Sequence, residues 1–335
     1  MSIFEKTETY RPFKYPWAME ATQEQSIDLY WDVHQLEFSD DIRQFHADGG
    51  LDTTNVPAKF TKNLLNKTLA IFTQMDVAAG ALYCKLLPHV GNNEIRNMWM
   101  SFASKESVHQ RSYALGVEVL DMPESTWGEF MEYKEMSEKI DIMVDLDGLD
   151  LSKPLDFGKA LALLLLCEGV ALFGAFAAML NLKRFGLMMG LNQVNEYSLK
   201  DENEHVKNNM RVLSEVRLEL SPDENLELDS FINKLIVKMR NAEHRYIELI
   251  FDMGPVEDMT EQDMKDYIDY LCDLRLSQLR LGKIFNTSNN PLVWMDYVLG
   301  GKQHTNFFEA RVGEYSHSGL IGGVDYSKYV KQNTF

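Results

Sequence analysis

The chain is poor in the features that mark several whole classes of protein. Only three of its 335 residues are cysteine, Cys84, Cys167 and Cys272, and none belongs to a C-x-x-C pair. That scarcity excludes a disulfide framework and a thiolate zinc site, and it leads to the expectation of a reducing, cytoplasmic compartment. Positive charge is also short: 33 Lys and Arg stand against 51 Asp and Glu, a net charge of −18, with no Lys/Arg-rich run. Such a chain is a poor binder of phosphate backbones, so no nucleic-acid partner is expected. The first fifteen residues are polar and mixed, so no secretory signal is expected. Alternating apolar runs joined by Asn-Gly or Asp-Gly turns are missing, which argues against a β-rich fold. Short repeats and low-complexity linkers are absent as well.

Helical patterns fill the space that these absences leave. Asn92 and Asn93 precede EIRNMWMSFASKESVHQRSYALGVEVL, a run without proline whose first glycine is Gly116. Further helical periods cover 191–216, 224–253 and 260–283, with a short helix at 292–299. From Ala160 to Leu182 the chain reads ALALLLLCEGVALFGAFAAMLNL, where Glu168 is the sole charge. Its length would span a bilayer. A carboxylate at its centre is costly in lipid and no second such segment occurs, so a buried core helix is expected and no membrane partner. A carboxylate buried in this way needs a partner of its own.

Two of the eight histidines lie three residues after a glutamate within helical runs: Glu106-Ser-Val-His109 and Glu202-Asn-Glu-His205. A helix brings i and i+3 to one face, so each pair can aim a carboxylate and an imidazole at one point. A third match, Glu314-Tyr-Ser-His317, lies in the polar tail, so the motif count alone decides little. Position decides more. Asp76 stands in the apolar run LLNKTLAIFTQMDVAAGALYC, 30 residues before Glu106, and Glu168 stands 34 residues before Glu202. Either spacing suits an antiparallel helix hairpin, and the 62 residues from Glu106 to Glu168 allow a long crossover. Carboxylate, E-x-x-H, carboxylate, E-x-x-H is the ligand order of a ferritin-like, all-α dimetal bundle. Two divalent cations would offset the four buried carboxylates, and the oxygen and nitrogen ligands suit iron or manganese alike.

With those residues in place, the chain resembles the small, radical-bearing subunit of class I ribonucleotide reductase. The densest likeness lies in SKESVHQRSY (104–113), KDENEH (200–205) and TNFFEARVGEY (305–315). The resemblance implies metal ligands at Asp76, Glu106, His109, Glu168, Glu202 and His205, holding two iron ions in a di-iron-oxo centre oxidised by O2. It implies a tyrosyl radical at Tyr113, four residues after His109. It implies a relay through Trp31 and Asp201, with Tyr315 passing the oxidation onward from a tail that also holds Tyr326 and Tyr329. The i, i+4 spacing of Asp201 and His205 leads us to expect contact between those two side chains.

The same resemblance implies an oxidoreductase active only with a separate large catalytic subunit, making deoxyribonucleotides for DNA replication. Three scattered cysteines agree with that division, because they cannot supply a reducing thiol pair. Residues 1–300 are expected to form one helical domain with an N-terminal extension, and 301–335 a flexible tail that binds the large subunit, ending at Phe335. A homodimer is implied too. The rival expectation is another ferritin-like dimetal protein, either a ligand-binding oxidase or an iron store.

Overall fold

A computed structural model describes residues 2–252 and 254–300, and among these no strand forms beyond one isolated bridge between Val256 and Met259. The tail at 301–335, with Tyr315, His317, Tyr326, Tyr329 and Phe335, lies outside the described residues. The α-helices run α1 (Pro16–Gln23), α2 (Ser39–His46), α3 (Ala58–Leu86), α4 (Asn93–Val119), α5 (Glu129–Glu132) and α6 (Lys134–Val144). They continue with α7 (Pro154–Leu166), α8 (Phe173–Lys183), α9 (Met189–Arg217), α10 (Pro222–Asp252), α11 (Glu261–Gln278) and α12 (Val293–Gly300).

The short link at 87–92 folds α4 back along α3, and the short link at 184–188 folds α9 back along α7 and α8. The two hairpins then meet, α4 against α9 and α3 against α7 and α8, to make a four-helix core. The longer stretch between α4 and α7 carries α5 and α6. Local chemistry sets the helix starts. Asn92 caps α4 by accepting from the Ile95 N–H at 3.0 Å. Thr260 and Asp263 form a capping box that opens α11. α9 has no cap of its own, since it follows Met188 in a left-handed turn at φ 52°. Asp41 of α2 supplies it from outside, accepting from the N–H groups of Gly190 (3.0 Å) and Leu191 (2.7 Å). A Cβ at position 190 would lie 2.2 Å from the Glu37 carbonyl, so glycine is what lets the segment leading into α2 come this close.

The apolar segment is the innermost layer. The stretch Pro154–Lys183 is long and apolar enough to cross a membrane, and every residue from Ala160 to Leu182 is buried inside the bundle. Its helix is not uniform as expected: Cys167–Ala171 winds as a π-helical turn between α7 and α8. The wider turn frees a carbonyl, and Arg275 of α11 donates its Nε–H to Gly169 O at 3.0 Å. A Cβ at Gly169 would come to 3.0 Å from that Nε, so the missing side chain admits the guanidinium.

A buried ion pair ties the crossover to the core. Lys139 Nζ of α6 lies 2.5 Å from Glu243 Oε1 of α10, with both side chains shut from solvent. Glu243 Oε2 also accepts from the Gly174 N–H at 3.2 Å, and Lys139 sits over the Tyr246 ring. Lys139→Met leaves a bare carboxylate in the core and should cost about 3–5 kcal/mol in urea unfolding. Lys139→Met combined with Glu243→Leu should recover most of that loss.

Candidate metal centre

Each element of the four-helix core turns carboxylate or imidazole groups to one place. α3 brings Asp76, α4 brings Glu106 and His109, the π turn brings Glu168, and α9 brings Glu202 and His205. None is more than 1% exposed. Their donor atoms form two groups, each compact enough to surround one ion: Asp76, Glu106, His109 and Glu202, then Glu106, Glu168, Glu202 and His205. Glu106 and Glu202 are common to both and divide their oxygens. Glu106 turns Oε1 to His205 Nδ1 (3.2 Å) and Oε2 to His109 Nδ1 (3.6 Å). Glu202 does the same, with Oε2 3.4 Å from His205 and Oε1 3.4 Å from His109.

The donor set fits metal ions better than it fits itself. His205 Nδ1 also lies 3.3 Å from Glu168 Oε1, so three carboxylate oxygens ring one nitrogen. One imidazole nitrogen can satisfy at most one of them. Asp76 Oδ2, Glu168 Oε1, and both oxygens of Glu106 and of Glu202 are buried without a hydrogen-bond partner in the protein. Such oxygens are costly to desolvate, and two divalent cations carry the charge that four carboxylates require. Burial, with the charges of Glu106 and Glu202, raises Asp76 well above the usual carboxylate range despite His109. Burial pushes Glu168 up to about 7. Burial would raise Glu106 too, but the His109 and His205 imidazoles that face its two oxygens outweigh it and hold that group at about 2. Within this pocket, each acid's state depends on how much positive charge it faces.

Behind the first group lies a second set of contacts. His109 Nε2 meets Asp201 Oδ2 at 3.0 Å, and the Trp31 indole N–H donates to the same oxygen at 2.7 Å. Gln25 donates to Asp201 Oδ1 at 2.7 Å. The Asp201 carboxyl stays below its usual range because hydrogen bonding and charge from His109 outweigh burial. The expected Asp201–His205 contact is therefore replaced by one to His109. His205 instead turns Nδ1 into the carboxylates and lays its ring on Phe102, centroids 4.3 Å apart. The Trp31 ring stacks on His109 at 5.6 Å, and Lys105 donates to the Trp31 carbonyl at 3.2 Å.

Tyr113 is fully buried one turn past His109, its ring stacked on Phe72 at 4.4 Å and 3°. Phe72 precedes Asp76 by one turn of α3, so the tyrosine lies on the Asp76 side of the site. Its hydroxyl donates to Asn195 Oδ1 at 2.7 Å. Burial and the nearby Asp76 charge raise its pKa well above the usual phenol range. Gln25, Lys105, Asn195 and Asn209 were not singled out from sequence. The visible signal was a polar series on α9, Asn195, Ser198, Glu202, His205 and Asn209, spaced by threes and fours. From sequence alone that series looks the same as a solvated helix face.

Known proteins agree with this architecture. The family model "Ribonucleotide reductase, small chain" matches residues 7–291. A protein of Invertebrate iridescent virus 3, described as a ribonucleoside-diphosphate reductase small subunit, is 29% identical over 332 residues, covering 94% of this chain and 85% of its own. The ribonucleoside-diphosphate reductase small subunit of Dictyostelium discoideum is 26% identical over 333 residues, covering 96% and 90%. The solved ribonucleotide reductase R2 subunit from Clostridium botulinum shares the fold at a TM-score of 0.71 and 17% identity, covering 85% and 88%. Because the family model spans most of its length, the chain belongs to the ribonucleotide reductase small-chain family.

Proposed function

We propose that this chain is the radical-generating subunit of a class I ribonucleoside-diphosphate reductase. In this reading Asp76, Glu106, His109, Glu168, Glu202 and His205 hold two metal ions, iron being our choice over manganese. The metal pair supplies one-electron oxidising power after reaction with dioxygen. The protein's own residues do the rest. Tyr113 is the site of the stored radical: it is sealed from water, and its raised pKa keeps it a neutral phenol, so oxidation means losing an electron and the hydroxyl proton together. Its hydrogen bond to Asn195 and its stack on Phe72 fix the ring in place.

The observation that carries the reading is the continuous contact His109–Asp201–Trp31, which links the site to a second oxidisable ring through one shared carboxylate oxygen. A ligand-binding oxidase or an iron store has no need of such a link. Asp201 Oδ2 is placed to hold the indole proton when Trp31 is oxidised. From there we assign the onward step to Tyr315 in the 301–335 tail. That tail follows one helical domain (1–300) and would bind the large catalytic subunit, whose ribonucleotide chemistry the chain serves. A homodimer in the cytoplasm completes the proposal.

Metal analysis with a two-subunit assay tests it. The chain should bind two divalent ions, and saturating both at 100 times their Kd should add about 2.7 kcal/mol of stability per site, seen as a rise in Tm. Deoxyribonucleotide formation should need both this chain and the large subunit. Activity from the chain alone, or failure to bind metal, would sink the reading.

A further inference from the structure

α9 turns Asp201, His205 and Asn209, each one turn apart, toward the site. The two outer residues face different neighbours. Asp201, an acceptor, meets the imidazole N–H of His109. Asn209 offers a donor to a carboxylate: its amide donates to Glu168 Oε2 at 3.0 Å and to the Tyr83 hydroxyl oxygen at 2.9 Å. Its other end, Oδ1, accepts from the Trp99 indole N–H at 2.9 Å. An indole N–H can only donate. Trp99 therefore settles which end of the amide is oxygen and turns the NH2 group to Glu168. Tyr83, Trp99, Glu168 and Asn209 are all buried, so solvent does not compete for these bonds.

We infer that Asn209, oriented by Trp99, is a positioning residue that binds one oxygen of Glu168 and leaves the other for a metal ion. The pinned oxygen is Oε2. The free one, Oε1, is buried without a hydrogen-bond partner and faces His205 Nδ1 at 3.3 Å. Among the six residues of the site, Glu168 is the one whose carboxylate takes a hydrogen bond from this amide, and it belongs to only one of the two donor groups. The effect of Asn209 should accordingly fall on one metal equivalent and spare the other. This rests on the two-metal reading above.

Mn(II) titration of the full chain, followed by electron paramagnetic resonance, tests the assignment. Wild type should take up two equivalents. Asn209→Leu keeps the branching and removes the donor, so the first equivalent should bind as in wild type and the second roughly tenfold or more weakly. Trp99→Phe frees the amide to turn and should weaken the same equivalent by a smaller factor, which decides the matter if the leucine variant does not fold. Two unchanged equivalents in the folded variants overturn the assignment. So does equal weakening of both together with a lower Tm of the metal-free chain, which is how a packing role would read. A wild-type chain that takes fewer than two equivalents overturns the two-metal reading itself, and with it this one, before any variant is compared.

Discussion

Tyr113→Phe should abolish the tyrosyl radical signal after anaerobic Fe(II) loading and exposure to oxygen, while two metal ions still bind. The change removes a single oxygen atom from a ring that is fully buried and stacked on Phe72. Asn195 Oδ1 loses its donor, a cost of about 1–3 kcal/mol that the bundle can absorb. None of the six carboxylate and imidazole groups is touched, so metal content should equal wild type. Reductase activity with the large subunit should fall to background, because phenylalanine has no hydroxyl proton to release on oxidation. A full-strength tyrosyl signal in this variant would place the radical on another residue and remove Tyr113 from the proposal.

Asp201→Asn should separate formation of the radical from its use. Oδ2 accepts from both His109 and Trp31, while Oδ1 accepts from Gln25. An asparagine can keep its oxygen toward His109 and Trp31 and turn its NH2 toward Gln25. Gln25 can then present its own Oε1, a buried atom that has no partner in the wild-type protein. The geometry survives, and the negative charge does not. An amide cannot hold the indole proton as a carboxylate can, so turnover should drop by about 10- to 100-fold. The Tyr113 signal and the metal count should stay close to wild type. Equal loss of metal and activity would mean that Asp201 serves the site only by orienting His109.

Several parts of the protein were legible in its sequence for simple reasons. Helices announce themselves by period and by caps, so the starts near Asn92 and Thr260 agree with the side chains that close them. Asp76 and Glu168 stood out because an acidic residue is conspicuous in an apolar run, and the bundle brings both to the same place as Glu106, His109, Glu202 and His205. The π turn at Cys167–Ala171 was not legible, because Arg275, which binds the Gly169 carbonyl it frees, lies 106 residues away. The Asp201 contact differs from the one its spacing predicts for a related reason. Spacing along one helix finds neighbours on that helix, whereas Asp201 is served by α4 and by Trp31.

The helical periods, the two E-x-x-H pairs and the lone acids Asp76 and Glu168 in their apolar runs selected a helical bundle with buried carboxylates, and the scarcity of cysteine excluded thiol chemistry. Those are properties of composition and of local period, and each is complete in a short window of residues. Which polar groups face inward could be decided only by tertiary structure. Asn195, Asn209 and Gln25 have the composition of a solvated surface, and they became buried partners of Tyr113, Glu168 and Asp201 when four helices closed around them. A side chain's hydrogen-bond partner is set by distance in space, and in this protein those partners lie between 41 and 176 residues apart.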